Sequence, residues 1–122
     1  DNPKKAIINQ IKAFYEAFNN PEYYLNIKHG CPLSNFVLDM SDKEEELFSY
    51  LKSMYVIWQL SVEDALTRAK SQKQTKTDFD PKSQALFIIS SIEGSIGSAK
   101  ACNDLTNLKN GFDILNKYIK NL

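Results

Sequence analysis

Apolar residues recur three and four apart in five stretches of the chain, the spacing that lines one face of a helix, and nowhere alternate as a half-buried strand requires. The first stretch, 1–20, carries Ile7, Ile11, Phe14 and Phe18, with Ile8 and Tyr15 widening the stripe. Asn2-Pro3 reads as an N-cap followed by a residue whose φ is already helical. Pro21 disfavours helix at Asn20 and ends the run. A short second stretch, 31–40, opens at Gly30-Cys31-Pro32 and presents Leu33, Phe36, Val37 and Met40. Ser41 stands three residues before Glu44, a capping box, with Asp42, Glu44, Glu45 and Glu46 where the helix dipole favours acid. The third helix, 42–70, keeps helical spacing through Leu47, Leu51, Met54, Trp58, Val62, Ala65 and Ala69. The polar run from Ser71 to Thr77 reads as a loop. Asp80-Pro81 repeats the cap-plus-proline signature and starts the fourth helix, 81–102. Asn103 and Asp104 punctuate the chain before the fifth, 104–121, with Leu105, Leu108, Phe112, Leu115 and Ile119. The pattern predicts an all-α, five-helix protein forming one domain over residues 1–122.

The fourth helix departs from the others in composition. Glycine inside a helix costs roughly 1 kcal/mol relative to alanine, so Gly94 and Gly97 need a reason. Ser90, Gly94 and Ser98 lie at i, i+4 and i+8 and form one small-residue face. Two readings follow: close packing within the protomer, or a symmetric homodimer built from the last two helices. The dimer reading places Ser90, Gly94, Gly97, Ser98, Leu108, Phe112 and Leu115 at the interface. Glu93 and Lys100 are charges on an otherwise apolar helix and are expected to reach solvent.

Aromatic and thioether side chains suggest a cavity. Phe14, Phe18, Phe36, Met54, Tyr55, Trp58 and Phe87 fall where several helices face inward, a lining suited to a flat or greasy small molecule. The plainer reading of the same residues is ordinary core.

Charge and composition narrow the function. Among 122 residues, fifteen basic and fifteen acidic side chains cancel, and no basic run offers a phosphate-binding face, so this segment is not expected to bind nucleic acid by itself. No nucleophile elbow, phosphate loop or metal-ligand spacing is present; no enzyme, metal or cofactor is expected. No apolar run reaches the ~18–20 residues of a membrane span. Cys31 and Cys102 belong to no C-x-x-C pair, and with no signal peptide ahead of them a reducing cytoplasm is expected. Cys31, at the start of a predicted helix, sits where backbone N–H groups and the dipole favour a thiolate. Cys102 reads as structural.

At this point the residues resemble a family. Gly30-Cys31-Pro32-Leu33-Ser34-Asn35, followed by Leu38, Met40 and Ser41, is similar to the Gly-Cys-Pro-Leu-Gly-Asn segment of many TetR/AcrR-type transcriptional regulators. The likeness continues through the long third helix, the Asp80-Pro81 start, and Gly94-Ser95-Ile96-Gly97-Ser98-Ala99-Lys100. The resemblance implies a five-helix bundle of the TetR C-terminal type, whose last two helices make a dimeric four-helix interface beside a small-molecule inducer pocket. It also implies a transcriptional repressor that reaches operator DNA through a helix-turn-helix half, which these 122 residues do not include. Cys31 and Lys100 match positions that sense electrophiles or oxidants in some relatives. Two other readings compete: a stand-alone helical small-molecule-binding module, and a thiol-dependent enzyme using Cys31 with His29 as its base.

Overall fold

A computed structural model of the chain describes residues 2–19 and 45–122, and its described residues are helical apart from short connections. Four helices follow in order: α1 (Pro3–Asn19), α2 (Glu45–Ser71), α3 (Pro81–Cys102) and α4 (Leu105–Lys120). The predicted helix 31–40, Phe36, the Cys31 segment and the Ser41/Glu44 box lie outside the described residues.

Three of these helices, α1, α3 and α4, begin where the sequence supplies a partner for orphaned N–H groups. Asn2 Oδ1 accepts from the Lys5 amide at 3.0 Å ahead of α1. The Asp80 carboxylate accepts from the Ser83 amide at 3.1 Å and from its hydroxyl at 2.7 Å, with Pro81 in the first turn of α3. Asp104 accepts from the Thr106 amide at 2.9 Å ahead of α4. α2 carries Glu45 and Glu46 in its first turn and Arg68 and Lys70 in its last, matching the helix dipole at both ends. α3 ends at Asn103, whose φ of 49° turns the chain left-handed, a conformation asparagine tolerates better than most residues. The Asp104 amide then closes back on the Ala99 carbonyl at 3.0 Å, a Schellman-type finish.

The helices pack in a ring, α1 on α2, α2 on α3, α3 on α4 and α4 on α1. Their inward faces form one apolar core. α1 gives Ile7, Ile11 and Phe18; α2 gives Val62, Ala65 and Leu66; α3 gives Ala85, Ile88, Ile89, Ile92, Ile96 and Ala99; α4 gives Leu108, Phe112, Leu115 and Ile119. At about 100° per residue, the α3 set falls on one side of its helix. Ser90, Gly94, Gly97 and Ser98 fall on the opposite side and are exposed.

α3 and α4 approach closely because Gly111 has no side chain. A Cβ built there would lie 2.3 Å from Ser95 Oγ and 2.9 Å from Ser95 Cβ. The Ser95 hydroxyl is turned back along α3, donating to the Ser91 carbonyl at 2.8 Å. Gly94 and Gly97 meet nothing within 4 Å in the same test. Among the described residues, therefore, the contact glycine is Gly111, and close packing between them does not account for Gly94 or Gly97.

The α2–α3 connection is fixed by charge. Lys70 Nζ pairs with Asp78 at 3.0 Å, donates to the Phe79 carbonyl at 2.7 Å and lies 5.1 Å from the centre of the Phe79 ring. The hydrogen bond from Lys70, and then its charge, hold the Asp78 carboxyl below the ordinary aspartate value; the Ser83 hydroxyl and amide do the same for Asp80.

Two predictions follow from this geometry. Gly111→Ala should lower stability by about 1–2 kcal/mol in urea denaturation, because overpacking outweighs alanine's better helix propensity. Ser95→Gly in the same chain should restore much of that loss, and independent, additive effects would refute the contact. Because the folded carboxyls of Asp78 and Asp80 titrate below their unfolded values, their stabilisation is complete above the unfolded value and disappears as pH falls through the folded one. Urea midpoints measured along an acid series should therefore fall less steeply in the Asp78→Asn/Asp80→Asn double variant than in the parent.

Candidate functional site

α1 carries side chains on two flanks of its core stripe. Gln10 and Phe14 turn toward α2. The Phe14 and Trp58 rings lie 5.5 Å apart and tilted, and Tyr55 meets Trp58 edge-on at 5.9 Å. The indole N–H of Trp58 donates to Gln10 Oε1 at 3.1 Å, so the polar handle of the ring is satisfied at the α1–α2 seam. Phe14, Tyr55 and Trp58 are all half-buried, which leaves part of this aromatic cluster open to a ligand.

Of the seven expected pocket residues, the structure gathers these three. Phe18 is buried in the core on the same helix, and Met54 projects outward from α2 with 43% of its surface exposed. Phe36 lies outside the described residues. Phe87 is placed elsewhere: it is 51% exposed on the outer side of α3, its ring 5.2 Å from that of Tyr118 on α4. The physical reason is local. Phe87, Ile88 and Ile89 are consecutive apolar residues, and periodicity alone does not say which of them faces inward; packing selects the two isoleucines.

The expected dimer residues divide as well. Ser90, Gly94, Gly97 and Ser98 line an open face of α3. Leu108, Phe112 and Leu115 are instead core of the protomer, with exposures of 0%, 3% and 4%, because they form the single inward stripe of α4. The outward apolar residues are Leu86 and Phe87 on α3 and Ile114 and Tyr118 on α4. Gln84 Nε2 donates to the Tyr118 hydroxyl and steadies that ring against α3. Sequence reading missed Ile114 and Tyr118 because an isolated apolar residue off the core stripe gives no periodic signal.

A second apolar surface runs along α2, where Tyr50, Ile57 and Leu60 are exposed. A third feature is a groove of about 180 Å³ between α1 and α4, bordered by Ile8, Ile11, Tyr15 and Phe112 with Asn116 at its wall. Lys100 is exposed on the last turn of α3. Cys31, its expected partner, and His29 lie outside the described residues. Cys102, expected to be structural, is an exposed free thiol. Among the described residues no group of three or more His, Cys, Asp or Glu side chains could hold a metal ion, and no helix is long and apolar enough to cross a membrane.

A family comparison identifies the fold to which these surfaces belong. Residues 8–114 match the model of the tetracyclin repressor-like, C-terminal domain. The chain belongs to this family. The match covers α1 from Ile8 onward, all of α2 and α3, and α4 through Ile114, so the TetR-type assignment extends to the seam and to the outer face of α3. No curated protein and no solved structure matches the chain.

Trp58 is the only tryptophan, so its emission reports the α1–α2 seam alone. Gln10→Ala should shift that emission and cost about 1 kcal/mol, the usual net value of a neutral hydrogen bond. Unchanged emission, read by steady-state fluorescence, would show that the indole N–H is solvated rather than held by Gln10.

Proposed function

We propose that this TetR-type domain is the effector-sensing and dimerisation half of a bacterial transcriptional regulator, a cytoplasmic repressor released from operator DNA by a small-molecule or electrophile inducer. The observation that carries the reading is the outer face of α3 and α4. Ser90, Gly94, Gly97 and Ser98 form an exposed small-residue face, and among the described residues an added Cβ at either glycine meets nothing within 4 Å beyond its own helix. Leu86, Phe87, Ile114 and Tyr118 flank it with exposed apolar surface. Two glycines in an exposed helix weaken the protomer by roughly 1 kcal/mol each relative to alanine. A second copy packing α3 and α4 against this face gives that loss a purpose. Such a pairing is isologous: the same patch serves both protomers.

The aromatic seam of Phe14, Tyr55 and Trp58 is the proposed effector contact. It joins α1 to α2, and in the proposed regulator α1 is the helix nearest the DNA-reading half. An effector that binds one α1–α2 arrangement better than another shifts the population of the two. The two DNA-reading heads of the dimer then change spacing, and the operator is lost.

Light scattering should give twice the protomer mass at micromolar concentration. Gly94→Trp should convert the protein to monomer with helicity by circular dichroism unchanged, since the position is open in the protomer. A parent chain that stays monomeric at high concentration, or a Gly94→Trp variant that remains dimeric, would remove the dimerisation reading.

A further inference from the structure

Nine of the chain's fifteen basic side chains meet at one end of the bundle. Three separate stretches bring them there: the start of α1, the end of α2 with its connection into α3, and the end of α4. Hydrogen bonds pin these stretches together. Lys4 Nζ donates to the Gln74 and Lys120 carbonyls, and the Lys76 and Thr77 amides donate to the Leu122 carbonyl. Residues 2–5, 64–82 and 117–122 hold nine basic side chains against three acidic ones. Each of the three is already engaged: Asp64 pairs with Arg68, Asp78 pairs with Lys70, and Asp80 caps α3 beside Lys82. Asp1, next to Asn2 in sequence, takes one charge from the excess and leaves it large. Among the described residues no carboxylate lies within ion-pair distance of Lys4, Lys5, Lys73, Lys76, Lys117 or Lys120. All of these except Lys4 are exposed.

The chain as a whole carries no net charge, so the excess is balanced away from this end. Glu45 and Glu46 open α2, whose 27 residues put them about 40 Å from its basic end. Like charges gathered without partners repel: after burial, it is the Lys76 charge that lowers the Lys4 pKa. A bound polyanion relieves that repulsion and releases its own counterions. Sequence order conceals the patch, since Lys4 and Lys120 stand 116 positions apart.

We propose that this end face docks the phosphate backbone of duplex DNA without reading its sequence. Lysines meet phosphate as point charges, which position a duplex but carry no base recognition. The choice of DNA among polyanions rests on the function proposed above, which joins the DNA-reading half to the chain ahead of α1, at this same end. A duplex held by that half is the polyanion within reach.

The 122-residue chain is titrated into a dye-labelled duplex of about 20 base pairs and arbitrary sequence, followed by anisotropy across a KCl series. The expected result is saturable binding whose log K falls with log salt at a slope of about −4, the release from four or five phosphates. Lys73→Gln/Lys76→Gln/Lys120→Gln should flatten that slope by about 2–3 and weaken binding about tenfold or more at the lowest salt, and arginine at the same three positions should restore it. Lys52→Gln/Lys100→Gln/Lys109→Gln makes the same change in net charge away from this end and should stay within about twofold of the parent. Absence of saturable binding at low salt, or equal losses in the two triple variants, overturns the proposal. So does binding to phosphatidylserine vesicles that needs the same three lysines while DNA is ignored. Light scattering on the same samples keeps this test apart from the dimerisation reading. A monomer that binds DNA with the expected pattern supports the end face, and a dimer that ignores DNA refutes it.

Discussion

The missing side chain at Gly111 sets the spacing of α3 and α4, and much of the molecule's outer surface depends on it. With Ser95 against bare backbone, the two helices lie close enough for Phe87 to meet Tyr118 and for Gln84 to reach the Tyr118 hydroxyl. α3 and α4 then present one continuous outer face. On the inner side the same closeness lets Ile88, Ile92 and Ile96 share a core with Leu108, Phe112 and Leu115. A wider crossing would open voids in that core and split the outer face along its seam.

Much of the helical layout was legible because short-range chemistry wrote it. Asn2, Asp80 and Asp104 are polar residues just ahead of apolar periodic runs, and all three side chains accept from helix-start amides. The inward face was legible where one stripe dominated, as in α1; the α4 stripe was equally plain, but periodicity did not say that Leu108, Phe112 and Leu115 face the protomer's own core and not a second copy. The inward face was ambiguous where apolar residues were consecutive, and Phe87 is the instance: one residue of rotation, about 100°, separates the core from the outer face. The role of each glycine was not legible either. Gly94 and Gly97 drew notice by sitting in an apolar helix, yet the glycine in contact is Gly111, whose neighbour Ser95 is sixteen positions earlier and is brought close only by the tertiary fold.

The two flanks of α1 divide the chemistry of the domain. One holds rings and an amide whose hydrogen bond is made; the other holds rings and an amide oxygen whose hydrogen bond is not. The groove residues Ile8, Lys12, Tyr15, Lys109 and Asn116 look unremarkable in sequence, since their common property is a shared space between helices separated by some ninety residues. Only the ring order of the four helices, which sets α1 beside both α2 and α4, brings them together.

The start of α1 is tied into the far end of the fold. Lys4 Nζ donates to the Lys120 carbonyl at 2.8 Å and to the Gln74 carbonyl at 3.3 Å, while the Leu122 carbonyl accepts from the Lys76 and Thr77 amides. Burial, and then the nearby Lys76 charge, lower the Lys4 pKa. In mechanical terms, this end of the bundle is a clamped plate. Pro3 is itself buried, so a displacement of the α1 start is felt by the interior, the 74–77 loop and the end of α4 together. The start of α1 therefore moves together with the 74–77 loop and the end of α4, or breaks both Lys4 contacts.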